Sequence, residues 1–401
     1  MVMPRLLQIN STANWGSTGK IAEQIGQRAM ACGWESYIAY GRRANPSSSE
    51  LIKIGSAMSQ AWHLAVSRLL DRHGLASTVA TKRLIDQIRR IKPDVIHLHN
   101  IHGYYLNYEV LFSFLNSEQI PVVWTLHDCW SFTGHCAHFI DVGCDKWQKG
   151  CFDCKKHKGY PASLADCSKR NYALKQRLFG GNRRLHIVAV SNWLKALVDE
   201  SFLGGKSIRV IHNGINIDTF KPTAIPTDGI VRIVGVSNVW SESKGIDDFY
   251  KLRERLNPEK YEITLVGLSE EQKKALPAGI IGVLRTNSAE ELAELYGCAN
   301  VFVNPTYADT FPTTNIEALA CGTPVVTYRT GGSPEAVTTD TGLVVEQGDI
   351  DGLVAAITHI GQQGKHHYID ACRAYAEEHF DKDKCFDRYI ALYDEILTNN
   401  R

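Results

Sequence analysis

The stretch from Asn304 to Glu335 reads NPTYADTFPTTNIEALACGTPVVTYRTGGSPE, and its pattern predicts how the second half of the chain folds. The apolar run from Val301 to Val303 precedes it and predicts a strand. A polar loop follows, then a helix predicted over 314–320, then a second apolar run that leads to a Gly-Gly pair. A strand, a helix and a second strand in this order predict two parallel strands joined by a crossover helix.

Two carboxylates in this stretch, Asp309 and Glu317, stand eight positions apart around the predicted start of the helix. The first turn of a helix offers unpaired N–H groups and a partial positive charge, which suits phosphate. Glu317, one turn into the helix, is expected to accept hydrogen bonds from ribose hydroxyls, and Asp309 from sugar hydroxyls. The predicted phosphate-binding segment consists of Phe311, Pro312, Thr313 and Thr314.

Strand-like and helix-like runs also alternate along the rest of the 401 residues, a length that suits two domains. Predicted strands lie at 5–10, 35–40, 94–98, 122–126, 186–190, 209–211, 230–236, 262–266, 282–284, 301–303 and 324–328. Predicted helices include 17–32, 80–91, 109–116, 245–256, 289–296 and 383–398. This alternation predicts an α/β protein with parallel sheets covered on both faces. Two such halves imply a cleft, with ligands beyond the carboxyl ends of the strands.

A glycine-containing turn follows the first predicted strand and leads directly into a helix. It consists of Gly16, Ser17, Thr18, Gly19 and Lys20. The two glycines let the backbone approach a ligand, and the helix start suits phosphate, so this turn is a candidate phosphate-binding segment. It is not a Walker A loop, because Asn14 replaces the first glycine of that pattern and Ile21 follows the lysine. An ordinary strand-to-helix turn is the alternative interpretation.

Histidines follow two predicted strands of the first half. His127 and Asp128 come after the strand at 122–126, which favours a functional role for His127. The loop after the strand at 94–98 is a candidate sugar-binding segment, and with Asp128 its candidate residues are His99, Asn100, His102 and Tyr104. A metal site is the alternative use of histidines at this spacing.

These segments resemble the retaining glycosyltransferases of family 4, whose fold is called GT-B. That family has an acid, seven residues and a glutamate, followed by an Ala-rich helix, Gly-x-Pro-Val-Val and Gly-Gly-x-x-Glu, a pattern that 304–335 follows almost continuously. Ser243-Lys244-Gly245 is similar to the family's Lys-Gly after the first strand of the second domain. Val210–Phe220 is similar to the segment before the family's interdomain linker, and Thr125–Asp128 to its active-site histidine segment.

The resemblance implies two Rossmann-like, doubly wound domains that face a cleft. The implied organisation is an acceptor-binding domain at 1–205 with a Cys-rich insertion at 129–167, a linker region at 206–229, a nucleotide-sugar-binding domain at 230–380, and a C-terminal helix at 381–401 that packs on the first domain.

The resemblance also implies a reaction. A sugar moves from a UDP- or GDP-sugar to an acceptor hydroxyl with retention of configuration and without a catalytic cofactor. The implied catalytic residues are His127, Lys244, Asp309 and Glu317. Lys244 stabilises the leaving diphosphate, and His127 contacts the sugar. The expected setting is capsule or exopolysaccharide assembly, with a glycan on a lipid diphosphate as acceptor.

Two positions depart from the family pattern. Asp309 stands where the family commonly has glutamate, which retracts the charge by one methylene. Val239 stands where the family often has an arginine, five residues before Lys244. The diphosphate then loses one cation unless Lys20, Arg329 or the glycine turn compensates. Both departures leave the donor sugar open.

Six of the eleven cysteines fall between Cys129 and Cys167. Four of them are candidate ligands of a structural zinc ion: Cys136, Cys144, Cys151 and Cys154. Four thiolates can bind zinc tetrahedrally, and a loop without its own core gains stability from the metal. Reduced, merely packed thiols are the alternative. His135, His138 and Cys129 are reserve ligands.

The net charge of +1 conceals an asymmetry, because residues 1–205 carry a charge of +10 and residues 206–401 a charge of −9. The excess is densest at 146–184, where eleven Lys and Arg face two Asp. Such a surface suits an anionic membrane leaflet or a lipid diphosphate, and a merely solvated face is the alternative. The sequence has no apolar run long enough to span a membrane and no signal-peptide pattern at its start, so we expect a cytoplasmic protein, peripheral at the inner membrane face.

Alternative functions remain at this point. A sugar-nucleotide epimerase would share the cleft but would not need a basic acceptor domain. A binding or scaffold protein could use the basic half, although no groove-reading or base-stacking motif supports a nucleic-acid partner. The metal-dependent transferases of the other common fold need Asp-x-Asp after a strand, whereas Asp381-Lys-Asp383 precedes a helix and predicts an N-terminal cap.

Overall fold

The computed structural model describes residues 3–224 and 226–399. Five residues lie outside these ranges: Met1 and Val2 of the predicted first domain, Ile225 of the predicted linker, and Asn400 and Arg401 of the predicted C-terminal helix. The chain divides into two compact units. The first contains the chain up to His212 and again from Cys385, and the second runs from Asn213 to Lys384. Within the described residues, no helix is long and apolar enough to cross a membrane.

The first unit is built on a seven-stranded parallel sheet. Its strands are β1 (Arg5–Asn10), β2 (Glu35–Tyr40), β3 (Glu50–Lys53), β4 (Val95–Leu98), β5 (Val122–Leu126), β6 (Leu185–Ala189) and β7 (Ser207–Val210). Its first six helices are α1 (Gly16–Ala31), α2 (Ala57–Leu70), α3 (Thr78–Ile91), α4 (Tyr108–Ser117), α5 (Ser168–Gly181) and α6 (Asn192–Glu200). The strand order is β3-β2-β1-β4-β5-β6-β7, so the chain reverses its direction of growth between β1 and β4.

The second unit has a six-stranded parallel sheet with the same kind of order, β10-β9-β8-β11-β12-β13. Its strands are β8 (Val231–Val236), β9 (Tyr261–Val266), β10 (Ile280–Val283), β11 (Val301–Asn304), β12 (Val325–Tyr328) and β13 (Gly342–Val345). Its helices are α7 (Ile246–Arg255), α8 (Glu270–Lys274), α9 (Ala289–Cys298), α10 (Thr313–Ala320), α11 (Ile350–Gln363) and α12 (Ile369–His379). The switch between β8 and β11 is the position where open parallel sheets bind ligands.

The last helix, α13 (Lys382–Asn399), belongs to the first unit from Cys385 onward. Phe386, Tyr389 and Tyr393 recur on one face and are almost fully buried against apolar side chains of the sheet, including Leu6 and Val95. Burying such a side chain stabilises a fold by about 1.5–3 kcal/mol, so this face holds the helix in place. The prediction of two parallel-sheet domains with a returning C-terminal helix is confirmed.

The limits of the first domain differ from the predicted ones. The sequence predicted that the first domain ends at 205 and that a linker region spans 206–229. The short strand predicted at 209–211 was assigned to the start of the second half. That strand is β7, which pairs in parallel with β6 at the edge of the first sheet. Its alternating burial is typical of an edge strand, which explains why it looked detached from the first domain.

The predicted Cys-rich insertion lies between β5 and α5. In 127–167 the chain forms only short single turns, Trp130–Phe132, Ile140–Val142 and Lys146–Gln148. Aromatic side chains provide a small core there: Phe139 stacks on Trp147 at 5.3 Å between ring centroids, and Phe132 packs on the same indole at 5.4 Å.

Candidate functional site

Two residues predicted to bind the donor meet in the second unit. Lys244 ends a short turn after β8, and Asp309 lies in the loop after β11, so the two strands of the switch place them together. The Lys244 Nζ donates to Asp309 Oδ2 at 2.7 Å and to the Ala308 carbonyl at 3.1 Å. The side chains are 32% and 22% exposed. Such an accessible ion pair stabilises a fold by only about 0–1 kcal/mol, so its contribution to stability does not account for its presence here.

The backbone around Lys244 is fixed by Gly245. This glycine has φ +72°, and a Cβ at its position would lie 2.2 Å from the Pro305 carbonyl oxygen. The Ser243 carbonyl accepts hydrogen bonds from Tyr307 N at 2.9 Å and from Thr306 Oγ1 at 3.3 Å. The loops after β8 and β11 are therefore tied together, and the lysine is presented at a set position.

The predicted phosphate-binding segment forms the start of α10. Thr313 and Thr314 are its first two residues, Pro312 precedes them, and within the described part of the chain no side chain caps this end. Phe311 is buried, and its N–H donates to Asp309 Oδ1 at 3.2 Å. The helix start and the Asp309 carboxylate are thus neighbours, as phosphate and sugar binding would require.

Glu317 lies one turn into α10, where its Oε2 accepts a hydrogen bond from the Tyr296 hydroxyl at 3.0 Å. Tyr296 is fully buried on α9, and burial raises the pKa of its phenol well above the ordinary range, so it stays a donor. Sequence reasoning missed this partner, because α9 and α10 are separated by a strand.

Asp248 is a further carboxylate in this region, and sequence reasoning missed it. It is buried on α7, and its Oδ2 accepts from the hydroxyls of Tyr307 at 2.8 Å and Tyr328 at 3.0 Å. Lys251 pairs with its other oxygen at 2.8 Å. These bonds join α7 to β12 and to the loop after β11, so Asp248 supports the loop that carries Asp309.

In the first unit, most candidate acceptor residues surround one small cavity at the carboxyl ends of β4 and β5. The cavity has a volume of about 10 Å³, and its lining includes His99, Asn100, His102, His127 and Asp128. Tyr104 is not part of this lining. It is 9% exposed, and its ring packs edge-on against His73 at 4.8 Å.

A chain of hydrogen bonds fixes the proton positions on His99 and His127. The Gln8 Nε2 donates to the Ala22 carbonyl at 2.7 Å, so the amide oxygen accepts from His99 Nε2 at 3.0 Å. Burial lowers the pKa of His99 well below its ordinary value, so this ring is neutral and its Nδ1 accepts. The donor to that nitrogen is His127 Nε2, 3.1 Å away.

Burial also lowers the pKa of His127, to about 4, although the Asp128 charge opposes this shift. His127 is therefore neutral at pH 7, with its proton on Nε2. Gln8 was missed by sequence reasoning, although a polar residue inside the apolar run of β1 was a signal.

Asp128 is ionised and oriented. Burial raises the pKa of its carboxyl, but the charge and hydrogen bond of His102 and the Trp130 N–H outweigh burial and bring the pKa to about 2. Its Oδ2 lies 2.8 Å from His102 Nε2, and its Oδ1 accepts from Trp130 N at 2.9 Å. The other His102 nitrogen lies 3.2 Å from the Tyr160 hydroxyl. Asp128 and His102 thus form a fixed polar pair at the cavity.

The glycine turn of the first unit begins α1. Gly16 has φ +66°, and a Cβ on Gly19 would lie 2.7 Å from Thr12 Oγ1. Ser17 and Thr18 lie between them in the first turn, and Asn10 links this turn to the acceptor loop because its Oδ1 accepts from Asn100 N at 3.2 Å. Gly16 to Gly19 belong to the first unit, whereas the other candidate donor-binding residues belong to the second.

The four candidate zinc ligands line one cavity in the Cys-rich loop. Its volume is about 20 Å³, and Cys136, Cys144, Cys151 and Cys154 all contribute to its wall. In 3–224 and 226–399, no three His, Cys, Asp or Glu side chains already stand in an arrangement that could hold a metal ion.

Two Rossmann-ordered parallel sheets, each with polar residues gathered at its switch point, define the GT-B class of glycosyltransferases. Solved structures share this fold over nearly the whole chain. A sucrose-phosphate synthase from Thermosynechococcus elongatus superposes with a TM-score of 0.74 at 18% identity, covering 99% of this chain and 100% of that one. Anabaena HepE, solved in complex with UDP, superposes with a TM-score of 0.68 at 16% identity, covering 98% and 100%.

The chain belongs to the family 4 glycosyltransferases. The model described as Glycosyltransferase Family 4 matches residues 20–219, and the model described as Glycosyl transferases group 1 matches residues 231–363. The putative colanic acid biosynthesis glycosyl transferase WcaC of Escherichia coli K12 is 27% identical over 371 residues, which cover 87% of this chain and 89% of that protein. The protein is therefore an enzyme of the glycosyltransferase class.

Proposed function

We propose that this enzyme transfers a sugar, with retention of anomeric configuration, from a nucleoside-diphosphate sugar to a glycan acceptor during polysaccharide assembly. The accessible Lys244–Asp309 pair at the switch point of the second sheet carries this proposal. The Lys244 cation and the start of α10 suit the diphosphate of such a donor, and the Asp309 carboxylate suits its sugar hydroxyls. The HepE structures, which contain UDP, glucose or UDP-glucose, support this donor class and favour a UDP-sugar over a GDP-sugar.

In the proposed mechanism, Lys244 exchanges its partner when the donor binds. Its ammonium leaves Asp309 for a diphosphate oxygen, and the freed carboxylate accepts from a sugar hydroxyl. The acceptor oxygen then bonds to the anomeric carbon on the face from which the nucleoside diphosphate departs. The acceptor proton passes to the departing phosphate oxygen, and Lys244 stabilises the charge that develops there. His127 contacts the transferred sugar.

The proposed acceptor is a glycan on a lipid diphosphate, and a surface of the first unit supports a membrane location. On α2, Met58, Trp62 and Leu69 are 82%, 67% and 57% exposed and recur on one helical face. Leu164, 78% exposed, lies beside this face because its N–H donates to the Arg68 carbonyl at 2.7 Å. We call these four side chains the apolar face of α2.

The charges near this face suit anionic lipid. The helix itself contains no acidic residue, and the only acid from 51 to 85 is Asp71, which is buried. Arg68 and Arg72 are exposed at its end. Apolar side chains flanked by arginine are typical of helices that lie in the headgroup region of a bilayer.

A panel of UDP- and GDP-sugars tests the donor proposal. Wild type is expected to bind one of them and hydrolyse it slowly, and Lys244→Ala and Glu317→Ala to lose both activities. Lys274→Ala, at an exposed position of α8, is the matched control and should behave like wild type. If no nucleotide sugar binds wild type, the donor proposal is wrong. The anomeric configuration of the glycoside made on a lipid-diphosphate acceptor, read by NMR, tests retention separately.

A further inference from the structure

The Cys-rich loop surrounds a hole that is large enough for a single ion. Its volume of about 20 Å³ exceeds the roughly 10–15 Å³ that one water needs. Besides the four cysteines, the wall includes His135, and the remaining lining consists of three aromatic side chains, one threonine and one lysine: Phe139, Trp147, Phe152, Thr133 and Lys146. A water there would find few hydrogen-bond partners, whereas sulfur and nitrogen ligands suit a soft metal ion.

His135 has a ring nitrogen that this cavity leaves without a partner. The residue is 2% exposed, and its Nε2 has no hydrogen-bond partner among the described residues. Its Nδ1 lies 2.5 Å from Asp71 Oδ1, in a pair that is almost fully buried. A carboxylate that accepts the Nδ1 proton leaves a lone pair on Nε2, and this is how histidines are held when they bind metal.

Hydrogen bonds hold three of the four thiols in the wall of the same cavity. Cys136 and Cys154 are hydrogen bonded to each other. The Cys151 sulfur accepts the Gly134 N–H at 3.1 Å, a contact that suits a thiolate. Cys144 uses its backbone: its carbonyl accepts from Trp147 Nε1 at 3.1 Å, and its N–H donates to the Phe139 carbonyl at 3.4 Å.

Burial lowers the pKa of Lys175, next to the loop, to about 7, and an anionic metal centre would stabilise its charged form. Lys175 is 1% exposed, and its Nζ donates to the carbonyls of Trp130 at 2.6 Å and Thr133 at 3.0 Å. No carboxylate of the described residues forms an ion pair with it. Zinc bound by three thiolates and one neutral imidazole carries a net charge of −1, which Lys175 would compensate.

We propose that this loop holds one structural zinc ion through His135 Nε2, Cys136, Cys151 and Cys154, with Asp71 orienting the histidine. Each thiol gives up its proton to solvent as its sulfur bonds the metal. The thiols must turn inward, because as placed they do not converge on one point. Cys144 remains outside the ligand set, which changes the four-cysteine set that the sequence suggested.

The assignment explains why Asp71 is a hub. It ends α2, and besides His135 it binds the Cys167 N–H at 2.7 Å, while its carbonyl accepts from Asn171 Nδ2 at 2.8 Å. A metal on His135 would join the loop, which has no strand or α-helix, to α2 and α5. Structural zinc sites contribute folding free energy in this way.

Metal analysis of the full chain purified without chelators tests the site directly. We expect one zinc per chain in wild type, in Cys144→Ser and in the control Cys32→Ser, whose thiol is exposed in the same unit. Cys151→Ser, Cys154→Ser and His135→Asn should lose the metal. Asp71→Asn should retain it with an affinity about 10–100-fold weaker, the usual effect of removing an orienting carboxylate.

Cobalt titration of chelator-treated wild type provides a test that needs no variant to fold. Co²⁺ should bind at one equivalent with thiolate charge-transfer absorption and the ligand-field bands of a tetrahedral site. Wild type that contains no zinc and binds no Co²⁺ overturns the proposal. If Cys144→Ser loses zinc while His135→Asn retains it, the site exists but His135 is not its ligand, which also overturns the assignment. None of these measurements depends on transferase activity, so they are independent of the proposed donor and acceptor.

Discussion

Gln8 controls the polar end of the first sheet from a position inside β1. Its amide orients His99, and His99 orients His127, so the proton on His127 is set by a fully buried side chain. Replacing Gln8 with methionine keeps the volume but leaves the buried His99 Nε2–H without an acceptor. An unsatisfied buried donor costs about 1–3 kcal/mol of stability.

Gln8→Met is also expected to lower kcat/KM roughly tenfold, the equivalent of about 1.4 kcal/mol, because His127 is no longer held in one tautomer. Steady-state kinetics with the donor found in the panel measures this, and ¹⁵N chemical shifts of His127 report the tautomer. Gln27→Met, at an exposed position of α1, serves as the control. Unchanged histidine shifts in Gln8→Met would show that Gln8 does not set the tautomer.

Gly245 offers a test of backbone placement beside Lys244. Alanine there combines a φ of +72° with a Cβ 2.2 Å from the Pro305 carbonyl oxygen. Gly229 has a similar φ of +80°, but a Cβ on it meets nothing within 4 Å. Gly229→Ala therefore measures the cost of the dihedral angle alone, about 1–3 kcal/mol.

Gly245→Ala should destabilise the protein by more than Gly229→Ala and should weaken donor binding, because relief of the clash moves the loop that presents Lys244. Urea unfolding gives the stability difference, and nucleotide-sugar titration gives the affinity. Equal effects of the two substitutions on both quantities would mean that the contact with Pro305 is unimportant.

At the scale of elements, the sequence predicted most strands because buried parallel strands are continuous apolar runs bounded by turns. It missed α2 because apolar side chains on one face of that helix point outward, so its pattern does not report burial. It missed β3, which has only four residues. The Lys244–Asp309 pair joins residues 65 positions apart, and the family pattern predicted both of them. No sequence pattern linked Asp71 to His135.

α2 also carries a buried histidine that makes stability depend on pH. Burial lowers the pKa of His63 to about 4, whereas an unfolded chain protonates histidine near 6.5. Between these values the unfolded state binds a proton that the folded state does not, so stability falls as pH decreases from about 6.5 towards 4. From pH 7 to pH 5 this one residue is expected to cost about 2 kcal/mol.

His63→Gln removes that titration and can still bond Ser77 and Gly74, the present partners of the ring. The loss of unfolding free energy between pH 7 and pH 5, measured in urea, should be smaller in this variant by about 2 kcal/mol. His359→Gln, at an exposed position of α11, should leave the loss unchanged. Identical pH dependence in His63→Gln and wild type would rule out His63 as a contributor.

At the scale of the whole molecule, charge separates along the chain. The first unit contains 29 Lys and Arg against 18 Asp and Glu, a charge of +11, and the second contains 15 against 25, a charge of −10, so an anionic surface attracts the first unit and repels the second. The candidate acceptor residues are in the attracted unit, and the apolar face of α2 is there too. A lipid-linked acceptor would need this unit, rather than the donor-binding one, at the membrane.

Vesicle flotation separates the electrostatic and apolar parts of this attraction. We expect binding to vesicles that contain anionic lipid and little binding to neutral ones, with a decrease at high salt because exposed charges are screened. Replacing Met58, Trp62 and Leu69 together with serine should reduce binding at every anionic content, since those side chains insert between headgroups. Val239→Ser removes an equally exposed apolar side chain, 73% accessible, from the second unit and should have no effect.

If the triple variant floats like wild type while salt still releases both, the basic surface alone makes the contact. If wild type floats with neither anionic nor neutral vesicles, the acceptor reaction takes place away from the membrane.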